Sequence, residues 1–477
     1  MPNGNLTRAI TLGGGGPAAG LHIGVLEAFA NATPPINFDV WSLSCIGAWV
    51  GIVYNQSDKK TAKEKVDETY EFFRKGVFRD DEGYKRFPIN TVFGPDWRSN
   101  IDAFNKFVGD PKNYRDFQFQ PYKMFEYMQD SLSIVMNQLP SGEKKPFRKL
   151  DEGDLNQWIL NQVMAPNPFI RYMTSLMYLS KFNGLSRINY PDSEFMQKIR
   201  FDRLPGAKPL IFHNAWDLDR HELAFFANRE MPVPNTTNGE SIKKRYEGAI
   251  TAQSLCACSA LPFIEETVEI GGTTYCEGAL VDTVNFEGLV DLQVGERKLD
   301  EIWISRIVDS KQVRKPENLH DALANLCQLF AASVGEDDVK LFKYHVRYDR
   351  QSRTVSKGNG TKDQNSKKAK AEHSKAENSR GHNVNGEWNG TVVEIHVPGH
   401  INFKWNHGNL DNGRRLGREA AEQAIKQYYK HRDTSHPDAP LFINEKPEKD
   451  AEWRRIRDDY HHLQKVLAES ASVDHPS

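Results

Sequence analysis

The chain lacks any apolar run of about 18 residues, the minimum that a membrane-spanning helix requires. Its N-terminus also lacks the apolar core of a signal peptide, because Gly13–Gly16 interrupts it after one short hydrophobic stretch. An excess of charge of one sign is absent too, with 62 Lys+Arg against 64 Asp+Glu. This balance gives no reason to expect a nucleic acid partner. We expect a cytoplasmic protein that does not span a membrane.

Cysteine is scarce, and its pattern excludes a disulfide scaffold of the secreted type. The cysteines are odd in number and lie within hydrophobic segments, which predicts a reducing compartment. The pair Cys256 and Cys258 has no histidine partner at zinc-binding spacing, so no metal and no cofactor are predicted. The five cysteines are Cys45, Cys256, Cys258, Cys276 and Cys327.

The hydrophobic content of 39% and the charged content of 26% are those of a globular protein, which excludes collagen-like and wholly disordered chains. The first segments alternate between strand and helix patterns. Buried-strand signals at Ala9–Leu12 and Val40–Leu43 are each followed by a helical pattern, at Leu21–Ala30 and Ile46–Tyr54. This β-α-β-α opening predicts an α/β fold built on a mostly parallel sheet.

The later chain predicts one α/β domain with insertions. We expect an α/β domain formed by 1–56 and 201–430, a helical cap inserted over 57–200, a disordered loop over 351–389 and a helical tail over 431–477. Within the domain, a helix is expected near Arg245 to Cys258. Methionine and aromatic residues enrich the cap, which is consistent with either an acyl-chain pocket or an ordinary helical core.

The run Gly13–Gly16 lies between the first strand and the first helix, where backbone N–H groups and the helix N-terminus favour an anion. From Gly14 to Ala19 the run also matches a dinucleotide-binding pattern. That alternative is disfavoured because Asp39 precedes the second strand instead of following it. A plain tight turn would need only one or two glycines.

The second strand passes directly into a helix at Leu43–Gly51, which is the layout of a nucleophile elbow. Cys45 lies two residues before Gly47, where the usual motif has serine. A thiol at a helix N-terminus has a lowered pKa, so Cys45 is a candidate nucleophile. The alternative is an inert cysteine in a buried turn.

These motifs resemble the patatin-like phospholipase family, and the order of the landmarks is more specific than any one of them. The matching segments are the glycine run with Leu21–Leu26, the elbow Ser44–Gly51, Pro209–Ile211 with Ala215–Leu218, Ala257–Phe263 and Tyr275–Asp282. The resemblance implies a parallel α/β sandwich, related to α/β-hydrolases, that works through a Ser-Asp dyad. In this chain Cys45 stands at the serine position and Glu277 at the aspartate position.

The resemblance also implies the rest of the site. The oxyanion hole is expected from Gly14, Gly15, Gly16 and Ile46, and Asp282 is the second candidate for the acid. Two replacements that keep a nucleophile and a carboxylate favour altered chemistry over a dead enzyme.

An acyl-cysteine is a thioester that stays activated toward amines, thiols and carbanions, which favours acyl transfer over hydrolysis. The expected donor is a thioester of coenzyme A or of an acyl carrier protein. Hydrolysis of a lipid or ester, as in a phospholipase, is the nearest alternative, and a non-catalytic binding protein is the third. The Lys-rich stretch Lys367–Lys370 allows peripheral membrane contact. The oligomeric state is left open.

Overall fold

A computed structural model describes residues 7–86, 194–231, 245–286, 297–306, 328–343, 390–397, 401–432 and 441–445, together with shorter pieces such as 93–95, 184–188 and 293–294. The chain divides into two compact units. The first unit comprises Met1–Val92, Asn189–Leu261 and Val268–Ser477, and the second comprises Phe93–Ile188 and Pro262–Thr267.

The described helices and strands have the following bounds. The helices are α1 (Ala19–Asn31), α2 (Ile46–Gln56), α3 (Ala62–Gly76), α4 (Asp81–Arg86), α5 (Glu194–Gln197), α6 (Ala252–Cys258) and α7 (His407–His431), with short 3-10 turns at Phe201–Gly206 and Gly278–Leu280 and a further helical stretch over 328–343. The strands are β1 (Arg8–Leu12), β2 (Val40–Leu43), β3 (Phe93–Pro95), β4 (Gly184–Ile188), β5 (Leu210–Asp217), β6 (Glu222–Ala227), β7 (Tyr246–Ala249), β8 (Phe263–Glu265), β9 (Val268–Ile270), β10 (Thr273–Glu277), β11 (Gln293–Val294), β12 (Arg297–Lys298), β13 (Glu301–Arg306), β14 (Thr391–His396) and β15 (Leu441–Ile443).

The first unit contains a ten-stranded sheet in the order β15-β14-β13-β1-β2-β5-β10-β9, in which β6 also pairs with β5 and β7 pairs with β6. The strands from β15 to β5 pair in parallel, and β6 and β10 pair with β5 in antiparallel fashion. The predicted α/β class with a mostly parallel sheet is therefore confirmed. In the second unit, β3, β4 and β8 form a separate three-stranded sheet.

One face of the ten-stranded sheet carries a hydrophobic cluster that joins its central strands. Phe212 and Phe225 are fully buried there, and Val339 and Phe342 from the helical stretch 328–343 complete the cluster. Phe342 stacks on Phe286 with ring centroids 5.1 Å apart. The chain between Glu277 and Phe286 is thereby anchored to the core.

The opening β-α-β-α prediction agrees with the structure, since β1, α1, β2 and α2 follow one another as expected. The helix expected near Arg245 to Cys258 is wrong in its first half. Tyr246–Ala249 form β7, which pairs in parallel with β6, and the helix begins only at Ala252. Thr251 caps the N-terminus of this helix through a capping box with Ser254. Gly248, within β7, has φ +146°, a backbone conformation that favours glycine.

The domain boundaries stay predictions. Helices α3 and α4, which lie within the expected cap over 57–200, belong to the first unit. Within the expected helical tail over 431–477, Leu441–Ile443 form a strand instead of a helix, and this strand pairs in parallel with β14. The Met-rich and aromatic part of the cap, the loop 351–389 and the tail after 445 lie outside the described residues.

Helices α1 and α7 approach each other closely through glycine. A Cβ atom on Gly24 would lie 2.0 Å from the backbone oxygen of Arg414, and one on Gly417 would lie 2.0 Å from that of Leu21. Neither backbone oxygen can rotate away as a side chain would. The absence of side chains at these positions therefore sets the spacing of the two helices. Among the described helices, none is both long enough and apolar enough to cross a membrane.

Gly24→Ala is expected to destabilise the protein, because the new methyl group must push α7 away from α1. Overpacking of this kind costs about 1–3 kcal/mol. The measurement is the free energy of unfolding in urea. Gly206→Ala is the matched control, since a Cβ there meets nothing within 4 Å. Equal unfolding free energies for the two variants would contradict the packing described for α1 and α7.

Candidate active site

The two predicted catalytic residues meet because of how three strands pair. β6 occupies one edge of β5 from Phe212 to Asp217, so β2 and β10 share the other edge. β2 runs up this edge and ends at Leu43 opposite His213, while β10 runs down it and ends at Glu277 opposite Ala215. The two strand ends thus face each other across a single β5 residue, Asn214. The structure brings Cys45 and Glu277 together at this point.

Cys45 occupies the turn between β2 and α2, as the elbow pattern predicts. Its backbone has φ 47° and ψ −123° and it caps α2, which begins at Ile46. A positive φ is unfavourable for a residue with a side chain, and such strain is typical of functional turns. Gly47 allows the tight turn, because a Cβ there would lie 2.0 Å from the backbone oxygen of Leu12.

The ionisation of Cys45 differs from the expectation. The pKa of its thiol is raised well above its usual value, first by burial, then by the charge of Glu277 and a hydrogen bond to it. The Ile46 N–H group against the sulfur lowers the pKa, but by less. The expected lowering at a helix N-terminus is therefore wrong, because burial beside a carboxylate outweighs the helix end. The thiol needs a base to react.

The carboxyl group in contact with this thiol is that of Glu277. Its side chain is buried, and burial raises the pKa of its carboxyl to about 7. The Cys45 thiol donates a hydrogen bond to the carboxylate, which lowers this pKa by a smaller amount. A carboxylate with a pKa near neutrality is suited to accepting a proton at physiological pH. The pair is a buried thiol in contact with a buried carboxyl group.

The glycine loop passes directly over this pair. A Cβ atom on Gly14 would lie 2.9 Å from the Cβ of Ala279, 3.1 Å from the Cβ of Cys45 and 3.7 Å from Glu277 Oε1. The Gly14 N–H group donates to the Thr283 backbone oxygen at 3.2 Å. The expectation that Gly14 donates to the oxyanion is therefore wrong, because its N–H group is already bonded to the Thr283 backbone oxygen. Because Gly14 has no side chain, the space beside Cys45 and Glu277 stays unfilled.

The other expected donors are Gly15, Gly16 and Ile46. Gly15 and Gly16 continue the loop, and Gly16 adopts φ +58° with its α-carbon against the ring of Phe403. Ile46 presents its N–H group to the Cys45 sulfur. Together these three residues stay the predicted oxyanion hole.

His22 binds the backbone of the glycine loop, a role that the sequence did not indicate. Its Nε2 lies 2.8 Å from the Gly13 backbone oxygen and its Nδ1 lies 3.1 Å from Ser305 Oγ. Burial lowers the pKa of the imidazole to about 4, so the ring is neutral at pH 7. The Gly13–Gly14 peptide is thus fixed at its carbonyl by His22 and at its N–H group by Thr283.

Asn214 joins the two strand ends, and it was also missed. Its Oδ1 accepts from Ser44 Oγ at 2.8 Å, and its Nδ2 donates to the Asp282 backbone oxygen at 2.8 Å. Asp282, the second candidate acid, is buried with Oδ1 accepting the Phe286 N–H group at 3.0 Å. The structure thus places Glu277 against Cys45, whereas Asp282 binds the backbone of the turn that follows β10. The sequence signal for Asn214 was a polar residue inside a strand pattern, and β5 also contains His213 and Asp217.

The dinucleotide alternative has its acid at the wrong end of the sheet. Asp39 precedes β2, and its Oδ2 accepts the Arg8 N–H group at 3.1 Å, so it lies at the opposite end of β2 from the glycine loop. Within the described part of the chain, no group of three His, Cys, Asp or Glu side chains is arranged to hold a metal ion.

Gly14→Ala is expected to remove most of the activity without unfolding the protein. The new methyl group would enter the contact between Cys45 and Glu277, and small displacements at a reacting centre cost about 10²-fold in rate. The measurement is kcat/KM together with the thermal unfolding midpoint. Gly206→Ala again serves as control, because its Cβ lies in open space. An active Gly14→Ala variant would show that the loop does not pass over the pair as described.

The family model of the patatin-like phospholipases matches residues 10–290, more than half of the chain. The chain therefore belongs to the patatin-like phospholipase family, and its mixed, mostly parallel sheet flanked by helices has that fold. Members of this family typically hydrolyse lipids, which supports an enzyme acting on lipid acyl groups.

No curated protein matches the chain. Among solved structures, the chain is similar to the crystal structure of VipD from Legionella pneumophila, with 14% sequence identity and a TM-score of 0.29 over 98% of this chain and 76% of that chain. The family assignment does not depend on this similarity.

Proposed function

We propose that this protein transfers acyl groups through a thioester on Cys45, with Glu277 as the general base. The observation that carries the proposal is the contact between the Cys45 thiol and the Glu277 carboxylate, both buried at the elbow. A thiol with a raised pKa reacts only when a neighbouring group accepts its proton. The Glu277 carboxylate, which is hydrogen-bonded to the thiol, is the group that we assign to this role.

The first half-reaction forms the acyl-enzyme. Glu277 accepts the thiol proton, and the sulfur attacks the acyl carbonyl carbon of the donor. The N–H groups of Gly15, Gly16 and Ile46 donate to the oxyanion that forms. As the tetrahedral intermediate collapses, the leaving thiol or alcohol takes the proton from Glu277. Cys45 then carries the acyl group as a thioester.

The second half-reaction returns the enzyme. An acceptor attacks the thioester carbonyl, Glu277 accepts the acceptor's proton, and the Cys45 sulfur leaves and regains a proton. Only 9% of Cys45 and 6% of Glu277 is exposed. Such burial limits the access of water and favours an acceptor that binds in the site.

The proposed donor is an acyl thioester of coenzyme A or of an acyl carrier protein, because exchange between thioesters is nearly balanced in energy. The acceptor is an amine, a thiol or a carbon nucleophile. Hydrolysis of a lipid ester is the second candidate, and membership of the patatin-like phospholipase family favours it.

Cys45→Ser is expected to shift the outcome from transfer to hydrolysis. A serine ester is less activated toward amines and thiols than a thioester, so the variant should load slowly and lose acceptor selectivity. The experiment follows acyl-coenzyme A and a phospholipid in parallel, with and without an amine acceptor, and measures the ratio of transferred to free acyl product. A wild-type protein that releases only free acid from the phospholipid supports hydrolysis and contradicts transfer. Equal product ratios in the wild type and in Cys45→Ser would make the thiol incidental.

A further inference from the structure

A second thiol lies against the nucleophile and has no part in the proposed reaction. Cys258 is the last residue of α6, and its Sγ accepts the Cys45 backbone N–H group at 3.1 Å. Since the N–Cα bond is about 1.46 Å long, the Cys45 Cα lies within about 4.6 Å of that sulfur. The two thiols also interact electrostatically.

This contact places the Cys258 sulfur within reach of the Cys45 side chain. A disulfide needs Cα atoms about 4.4–6.8 Å apart and Cβ atoms close together. The Cys258 sulfur is already next to the Cys45 backbone, so rotation of the two side chains is the adjustment that the proposed bridge requires first.

The other described cysteines are placed differently. Cys276 precedes Glu277 on β10, so strand alternation directs its side chain to the opposite face from Glu277. Cys256 is two residues before Cys258 on α6, which turns it to another side of the helix. Within the part of the chain that the structure describes, Cys258 is the cysteine that contacts Cys45. The pairing is therefore specific.

We propose that Cys45 and Cys258 form a reversible disulfide when the protein meets hydrogen peroxide, and that this bridge switches the nucleophile off. Glu277 accepts the Cys45 thiol proton, the sulfur attacks one peroxide oxygen, and the other oxygen leaves with that proton as water, so that Cys45 becomes a sulfenic acid. The Cys258 sulfur then attacks the sulfenic sulfur, its proton leaves with the hydroxyl group as a second water, and the S–S bond forms. The two thiols lose two electrons in total, and the peroxide gains them.

The bridge also protects the nucleophile from permanent damage. A sulfenic acid that meets a second thiol becomes a disulfide, which a dithiol such as dithiothreitol reduces. Without that thiol, further peroxide converts the sulfenic acid into sulfinic acid, which dithiothreitol does not reduce. Cys258 is thus the resolving cysteine of this proposal. The consequence for activity rests on the proposed function of Cys45, whereas the bridge itself does not.

The test treats the full chain with hydrogen peroxide, quenches with acid, alkylates free thiols and measures intact mass and linked peptides. The wild type should lose about 2 Da, for two hydrogens, before alkylation, then take up two fewer alkyl groups than the untreated protein, and give a peptide pair joining Cys45 to Cys258. Cys258→Ala should instead gain about 16 Da per oxygen at Cys45. Cys256→Ser and Cys276→Ala are the matched controls and should still form the bridge.

Acyl turnover is then measured before and after dithiothreitol, each variant against its own untreated sample. The wild type should recover most of its activity, and Cys258→Ala should not. A wild-type protein in which Cys45 reaches sulfinic acid without a bridge, or pairs with a different cysteine, overturns the proposal. A mapped bridge in a protein that transfers no acyl group supports the disulfide and refutes the proposed function alone. The wild-type peptide map decides the question even if Cys258→Ala fails to fold.

Discussion

Cys45→Ala is expected to lower kcat by about 10³- to 10⁶-fold, the range seen when a nucleophile is removed from an enzyme that forms a covalent intermediate. The alanine side chain fills nearly the same space, so the elbow and α2 should keep their structure. Because no other group in the proposed reaction attacks the acyl carbon, the remaining rate reflects only binding and the oxyanion donors. The measurement is single-turnover and steady-state kinetics, with circular dichroism to check the fold.

Cys276→Ala is the matched control for this experiment. Cys276 is also buried, and it lies beside Glu277 in the sequence. Its replacement should leave acylation at Cys45 intact. A Cys45→Ala protein that keeps substantial turnover while correctly folded would refute the nucleophile assignment, whatever the other variants do.

Glu277→Gln is expected to stop acyl loading and to change the pH profile. Glutamine keeps the size of the side chain but does not accept the thiol proton. Since the pKa of the Cys45 thiol is raised well above its usual value, few molecules ionise without the base. Loss of a general base typically costs about 10²- to 10⁴-fold. Loading itself should therefore fail, and not only the second half-reaction.

The pH dependence follows from the carboxyl group. The pKa of Glu277 is raised to about 7, and the base is active only as the carboxylate. Activity of the wild type should therefore rise as pH rises through about 7, with about a tenth of the full rate one pH unit below that value. Glu277→Gln should lack this rise. Asp282→Asn is the matched control and should keep it, because Asp282 Oδ1 accepts the Phe286 N–H group, a bond that an asparagine oxygen also accepts.

Two outcomes would contradict the role of Glu277. The first is normal acyl loading in Glu277→Gln, which would mean that the thiol ionises without help. The second is a larger defect in Asp282→Asn than in Glu277→Gln, which would move the acid to the other candidate.

The sequence was most informative where local rules decide the structure. The elbow at Cys45 could be predicted because a buried strand followed directly by a helix leaves few backbone paths for the residue between them. Residue Glu277 was found only through resemblance to a family. Its meeting with Cys45 depends on β2 and β10 sharing one edge of β5, and no spacing along the chain reveals that pairing.

The errors came from properties that depend on tertiary environment. A helix N-terminus lowers a thiol pKa when it acts alone, but burial and Glu277 reverse the sign at Cys45. Gly14 was read as a donor because its neighbours suit an anion, whereas its N–H group is bonded to Thr283. Residues Tyr246–Ala249 were predicted to be helical because their pairing with β6 is not visible in the sequence pattern. In each case a distant residue decides the outcome.

The central claim is the thioester on Cys45, and trapping it is the most direct test. The wild-type protein is mixed with an acyl-coenzyme A or with a phospholipid, quenched in acid within the first turnover, and mapped by mass spectrometry. We predict an added acyl mass on the peptide containing Cys45, which neutral hydroxylamine releases as it releases a thioester. This acyl mass should be absent from Cys45→Ala, and Glu277→Gln should not acquire it within the first turnover. Product formation with no acyl group on Cys45, or an acyl group bound to another residue and required for turnover, would contradict the account.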